Sequence, residues 1–163
     1  MRRRFGKVIN QLAKKDNKIV LLVGDIGYGI FDDFRKEHPK NFFNLGICEQ
    51  SIIGLAAGMA LEGLKPWVYT ITPFLIERPF EQIKLDIDQQ KANVNLVGFA
   101  DYPSLGPSHA EINGKKLMKL FKNIHSFFPK DSNETEKAIH KCYKRKGPTF
   151  ISLKIDSKIG KKW

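Results

Sequence analysis

At 163 residues, with 42% hydrophobic and 28% charged side chains, the chain has the length of one domain and enough apolar material for a core. Its net charge of +11 admits phosphate-rich partners, but Lys and Arg are dispersed, with denser runs at Arg2 to Arg4, at Lys141, Lys144, Arg145 and Lys146, and at Lys158, Lys161 and Lys162. No aromatic-interleaved nucleic-acid motif accompanies them, no apolar run is long enough to span a bilayer, and Lys7, Lys14 and Lys15 do not suit a secretory signal. The expectation is a cytoplasmic protein with neither nucleic acid nor membrane as partner. Cys48 and Cys142 lack CxxC spacing and a paired histidine, so both are expected as reduced thiols with no metal site.

Phe5, Val8, Ile9 and Leu12 fall at helical spacing, and Ile19 to Val23 is a continuous apolar strand of the kind buried on both faces. A glycine-rich turn at 24–29 follows, then a short helix near 31–36 and a strand from Phe42 to Leu45. Ser51 to Leu61 is a helix of unusually small residues without a charge before Glu62, stopped by Gly63 and Pro66. Strands are expected at 66–71, 94–98, 126–128 and 149–153, and helices at 78–90, 115–121 and 133–144, with a loop over 101–110. Strands alternating with helices imply a single α/β domain over residues 1–163, a mainly parallel sheet covered on both sides in three α/β/α layers. Ligands in such sheets bind beyond the carboxyl ends of the strands, where Asp25, Glu49 and His109 all fall.

Glu49 stands where an apolar strand turns into the small-residue helix, at the rim of a buried surface, a setting in which a carboxyl tends to hold its proton. Read on its own, it is also an ordinary first-turn acid favoured by the helix dipole. Cys48 beside it reads as a packing residue.

Three segments in order, Gly24-Asp25-Ile26-Gly27, Asn44-Leu45-Gly46-Ile47-Cys48-Glu49-Gln50 and Gly54-Leu55-Ala56-Ala57-Gly58-Met59-Ala60, resemble the pyrimidine-binding domain of transketolase-like, thiamine-diphosphate-dependent enzymes. Pro73-Phe74-Leu75, Arg78-Pro79-Phe80-Glu81-Gln82-Ile83 and Gly106-Pro107-Ser108-His109 extend the resemblance over nearly the whole chain. It implies that Glu49 hydrogen-bonds a pyrimidine ring nitrogen of thiamine diphosphate. A carboxyl sharing its proton with the ring favours the imino tautomer, whose exocyclic nitrogen removes the thiazolium C2 proton. The resemblance makes Phe74 the aromatic that stacks on the aminopyrimidine, with Leu75 or Phe80 as alternatives for that place, and Phe74 as a plain core aromatic remains a further reading. Ile47 is implied as a cofactor contact. Asp25 either approaches the thiazolium or the partner chain or accepts backbone hydrogen bonds in its turn. His109 is implied to line the reaction centre; by itself it is a plain loop residue.

Several family features are missing. Leu105 stands where many transketolases carry an aspartate that reads a donor hydroxyl, Ala100 is nearest to a phosphate-holding histidine, and only Lys154 lies near the place of a phosphate-binding arginine. No Gly-Asp-Gly metal motif occurs, since Gly24-Asp25-Ile26 lacks the third glycine, and the sequence ends after the last strand. The resemblance therefore implies one half of a split enzyme, without a diphosphate-binding domain and without the third transketolase domain. A separate diphosphate-binding subunit would hold Mg2+ and share the cofactor, in an α2β2 heterotetramer. The implied reaction is transfer of a two-carbon ketol unit on a specialised sugar. A split 2-keto-acid decarboxylase or carboligase, a non-catalytic assembly module and a polyanion binder are the alternatives.

Overall fold

The computed structural model describes residues 1–100, 102–110 and 113–154; the basic run at 158–162, Trp163 and the loop residue Asp101 lie outside the described residues. Helix α1, Arg2–Ala13, buries Phe5, Val8, Ile9 and Leu12, the positions that recur at helical spacing. Strand β1, Ile19–Val23, is buried at every position and sends its side chains alternately to two cores. Ile19, Leu21 and Val23 join one cluster with α1 and with Ala138, Ile139 and Cys142 of the helix at Ser132–Lys144, whereas Val20 and Leu22 join another with Ile52, Ile53, Ala56 and Ala57.

The short helix α2, Asp32–Glu37, leads to β2, Phe42–Asn44, and then to α3, Glu49–Leu61, and β3, Lys65–Ile71. Next come α4, Thr72–Ile76; α5, Phe80–Gln82, continuing as a π-helical segment Ile83–Gln89; and β4, Asn95–Phe99. Helix α6, Gly114–Met118, strand β5, His125–Phe127, helix α7, Ser132–Lys144, and strand β6, Thr149–Leu153, complete the order. Asp131 caps α7 by accepting from the backbone N–H groups of Asn133 and Glu134, both at 2.8 Å.

The six strands form one sheet in the order β2-β1-β3-β4-β6-β5, every pair parallel. With helices on both faces this is the expected three-layer arrangement. Because β2 lies outside β1 while β3 lies on its other side, the connections after β1 and after β3 leave in opposite directions. That divergence opens a crevice at the carboxyl ends of these two strands.

One expected element is divided. The helix anticipated from Arg78 to Gln90 begins only at Phe80, and an unforeseen helix, α4, precedes it. Pro79 has no N–H to give and disfavours helical backbone in the residue before it, so Arg78 lies in a turn between α4 and α5. Smaller shifts are that α3 starts at Glu49 rather than Ser51 and that α6 ends at Met118 rather than Phe121.

Candidate active site

The turn after β1 is held to the turn after β2 by one side chain. Asn44 Oδ1 accepts from the backbone N–H of Asp25 at 3.0 Å and from that of Gly46 at 3.2 Å, and its amide donates to Asp25 Oδ1 at 3.2 Å. Asp25 also accepts from the Tyr28 hydroxyl at 2.7 Å. These two side-chain bonds, Tyr28 first, hold the Asp25 carboxyl below its ordinary range, and the same contact raises the Tyr28 phenol. Asp25 adopts φ 53°, a left-handed conformation uncommon for a residue with a side chain.

Beside this turn lies a cavity of about 380 Å³, walled by Asp25, Tyr28, Ile47, Thr70, Phe74, Leu105 and His109, with Arg2 reaching in from α1. Arg2 Nε donates to the Tyr69 hydroxyl at 3.1 Å, and its guanidinium lies 4.2 Å over the Phe99 ring. Burial pushes the Tyr69 phenol well above its ordinary value. Ile47 is exposed to 67% and Leu105 to 63%, so both present apolar surface at the cavity mouth. Thr70 Oγ1 is buried in the wall without a hydrogen-bond partner among the described residues.

Glu49 opens α3 and is only 5% exposed. Its two carboxylate oxygens each lie 3.3 Å from Nη1 of Arg78. The Arg78 guanidinium carbon is in turn 3.3 Å above the centre of the Phe74 ring, and the Phe74 ring meets His109 edge-on at 4.8 Å. His109 Nδ1 is 3.1 Å from Ser108 Oγ, and the His109 carbonyl accepts from the Tyr102 N–H at 2.7 Å. Cys48 precedes the acid with its thiol donating to the Leu45 carbonyl at 2.9 Å.

Glu49, Phe74 and His109 thus form a contiguous group, linked through Arg78, while Asp25 and Ile47 face the cavity that Phe74 and His109 help to wall. Of the alternatives for Phe74, Leu75 is fully buried in the core and Phe80 packs on Phe121 with ring centres 5.1 Å apart. Arg78 and Asn44 open two of the family-like segments but carry no role in the sequence reading, and Tyr28, Thr70 and Arg2 carry none either. Pro79 is a further signal, since it forces a turn at Arg78 and so directs that side chain away from a helix face.

The residues present suit a flat heterocycle: an aromatic platform, a buried acid and an unpartnered threonine hydroxyl all lie at the crevice. Among the described residues no group of three or more His, Cys, Asp or Glu side chains could hold a metal ion, and no helix is long and apolar enough to cross a membrane.

Comparison with known proteins agrees with this picture. Residues 1–155 match the family described as "Transketolase, pyrimidine binding domain". The chain is 39% identical over 123 residues to a subunit of the apulose-4-phosphate transketolase of Actinobacillus succinogenes, covering 74% of this chain and 40% of that protein. It is 33% identical to the 1-deoxy-D-xylulose-5-phosphate synthase of Syntrophomonas wolfei over 155 residues, 90% of this chain and 23% of that one. A solved structure described as "Split gene transketolase, inactive beta4 tetramer" superposes with a TM-score of 0.85 at 34% identity, covering 94% of this chain and 50% of that chain. The chain therefore spans half or less of each of these relatives. Its match over all the described residues, together with the parallel sheet and the acid at the head of α3, means that the chain belongs to the transketolase pyrimidine-binding domain family, which implies dependence on thiamine diphosphate.

Proposed function

We propose that the chain is the pyrimidine-binding subunit of a split thiamine-diphosphate-dependent transketolase that transfers a two-carbon ketol unit on a specialised sugar. The observation that carries this reading is the contiguous group of Glu49, Phe74 and His109 beside a cavity at the carboxyl ends of β1 and β3. Phe74 offers the stacking face for the aminopyrimidine, Glu49 the acid for a ring nitrogen, and Ile47 and Asp25 border the space beside them. When bound, thiamine diphosphate supplies a carbon nucleophile that the side chains of a protein lack. In this reading Glu49 would hold a proton at the ring nitrogen, and His109 would exchange a proton with a substrate oxygen.

The wall of the cavity bears on the substrate. Arg2 and His109 are its basic groups among the described residues, and the exposed Leu105 presents an apolar surface to the incoming molecule. One relative is named as a transketolase of a sugar phosphate, which favours a sugar over a 2-keto acid. In this reading the enzyme is cytoplasmic, a separate diphosphate-binding subunit holds Mg2+, and the two chains assemble as α2β2, with residues 1–163 acting as one pyrimidine-binding domain.

Reconstitution tests it. The chain mixed with a diphosphate-binding subunit encoded beside it, thiamine diphosphate and magnesium should associate and transfer ketol units. Glu49→Gln should associate equally well but lose at least about 100-fold in turnover, the range expected for a positioned proton-transfer group. Full turnover in Glu49→Gln, or no association at all, removes the proposal.

A further inference from the structure

Both groups assigned to the aminopyrimidine already share one partner. The guanidinium of Arg78 lies 3.3 Å over the centre of the Phe74 ring and places Nη1 3.3 Å from both oxygens of Glu49. A guanidinium is flat, delocalised and rich in N–H donors, as a protonated aminopyrimidine is. A heterocycle stacked on that face of Phe74 and bonded to Glu49 would fill the volume in which the guanidinium lies, and close-packed groups cannot share it.

We propose that Arg78 is an internal stand-in for the aminopyrimidine, occupying its place on Phe74 and Glu49 until the cofactor exchanges with it. This rests on the reading of Glu49 and Phe74 given above, and it adds a gate to that site. The acid explains why a stand-in is needed. Glu49 is 5% exposed, and a carboxylate so buried is costly without a partner. Arg78 supplies one, and the ring replaces it on loading, so the acid is partnered throughout. The arginine is suited to leave. It sits in the turn between α4 and α5 rather than in a helix, and its side chain is 36% exposed, so the charged head has a path to water. No comparable freedom belongs to Glu49, which is fixed in the first turn of α3.

The test uses the full chain and 4-amino-2-methylpyrimidine, the heterocycle without its diphosphate arm, with binding followed by NMR at the backbone amides of Glu49 and Phe74. Arg78→Ala should bind the ring about tenfold more tightly than the unaltered chain, equivalent to about 1.4 kcal/mol. Arg78→Lys, which keeps the charge but loses the flat face, should fall between them and guards against a folding defect in the alanine variant. In the unaltered chain the Arg78 Nε–H resonance, shielded by the Phe74 ring, should move toward that of a free arginine as the ring saturates. Equal or weaker binding in Arg78→Ala, or an Arg78 resonance that stays shielded at saturation, overturns the gate. If the ring binds neither form, or binds Glu49→Ala as well as the unaltered chain, it is the pyrimidine-site reading that fails, and the gate falls with it.

Discussion

Asn44, the last residue of β2, and Asp25, in the turn that follows β1, bond each other reciprocally: the Asn44 carbonyl oxygen accepts from the Asp25 backbone N–H at 3.0 Å, and the Asn44 amide donates to the Asp25 carboxylate at 3.2 Å. The pair fastens the Asp25 turn, one wall of the cavity, to the end of β2. Asn44→Ala leaves two backbone N–H groups to water rather than burying them, so the stability loss should be modest, about 1 kcal/mol by urea denaturation. The larger effect should appear at the site. Asp25, freed from its clamp, should lose its left-handed geometry, and cofactor affinity in the reconstituted complex should fall more than stability does. An affinity unchanged within about twofold would show that the clamp does not shape the site.

Gly27 is the residue of this turn that cannot be replaced cheaply. Its φ is 95°, and a Cβ placed there would lie 2.5 Å from the Phe31 ring, which itself meets Tyr69 edge-on at 4.8 Å. Gly27→Ala should destabilise by about 2 kcal/mol or more, combining backbone strain with overpacking. A denaturation midpoint that does not move would rule this out. Gly29→Ala is the useful control, because its φ is also positive but nothing lies within 4 Å of the Cβ it would gain, so only the backbone cost should register.

The pair Lys65 and Asp16, at 2.6 Å, should stabilise the fold across a defined pH window. Burial pushes the Asp16 carboxyl upward, but hydrogen bonds from Lys65, the Lys18 backbone and Tyr143 outweigh it, and the net shift is below 3.8. Lys65 is raised above 10.5, chiefly by its bond to Asp16. A lowered acid stabilises above its unfolded value and loses that contribution as pH falls through the folded one; a raised base does so below its unfolded value and loses it as pH rises through the folded one. The difference in stability between the natural chain and Lys65→Met should therefore be about 1 kcal/mol from about pH 5 to 9 and shrink at both extremes. A difference that is flat with pH would contradict the pairing.

Cys142 and Cys48 should separate in a thiol titration. Burial pushes the Cys142 thiol up to about 12, and the residue is 1% exposed in the core between α7 and the sheet. At about pH 8 the native chain should react with a thiol reagent at Cys48, which is only partly buried, and at Cys142 only after unfolding. Equal rates in the native state would mean that α7 is not docked as described.

The sheet was legible because its central strands are apolar runs bounded by glycine and proline, and the acid of α3 was legible because a charge interrupting such a sequence is conspicuous. The family motifs then pointed to Phe74 and His109, and the structure sets these beside Glu49. Arg78 was hidden for a physical reason. Its two contacts reach Phe74 four positions back and Glu49 29 positions back, and both depend on the turn forced by Pro79, whereas helical periodicity ran straight through it. Asn44 was hidden in the same way: its bonds to Asp25 span 19 positions and depend on the end of β2 lying beside the turn after β1, which no local pattern encodes.

The doubly buried strands carry a consequence for registration. In a sheet with one wet face, sliding a strand by a single residue exposes its apolar set, and solvent alone forbids the slip. Strand β1 has no wet face: shifted by one, Val20 and Leu22 would trade places with Ile19, Leu21 and Val23, and both sets would still be dry. Side-chain volume and the fastenings at the strand's end must choose between the two alignments. Asn44, gripping the residue two beyond β1 from the end of the neighbouring strand, is placed to act as that stop, so the same side chain that holds Asp25 at the site also counts the residues of the sheet into position.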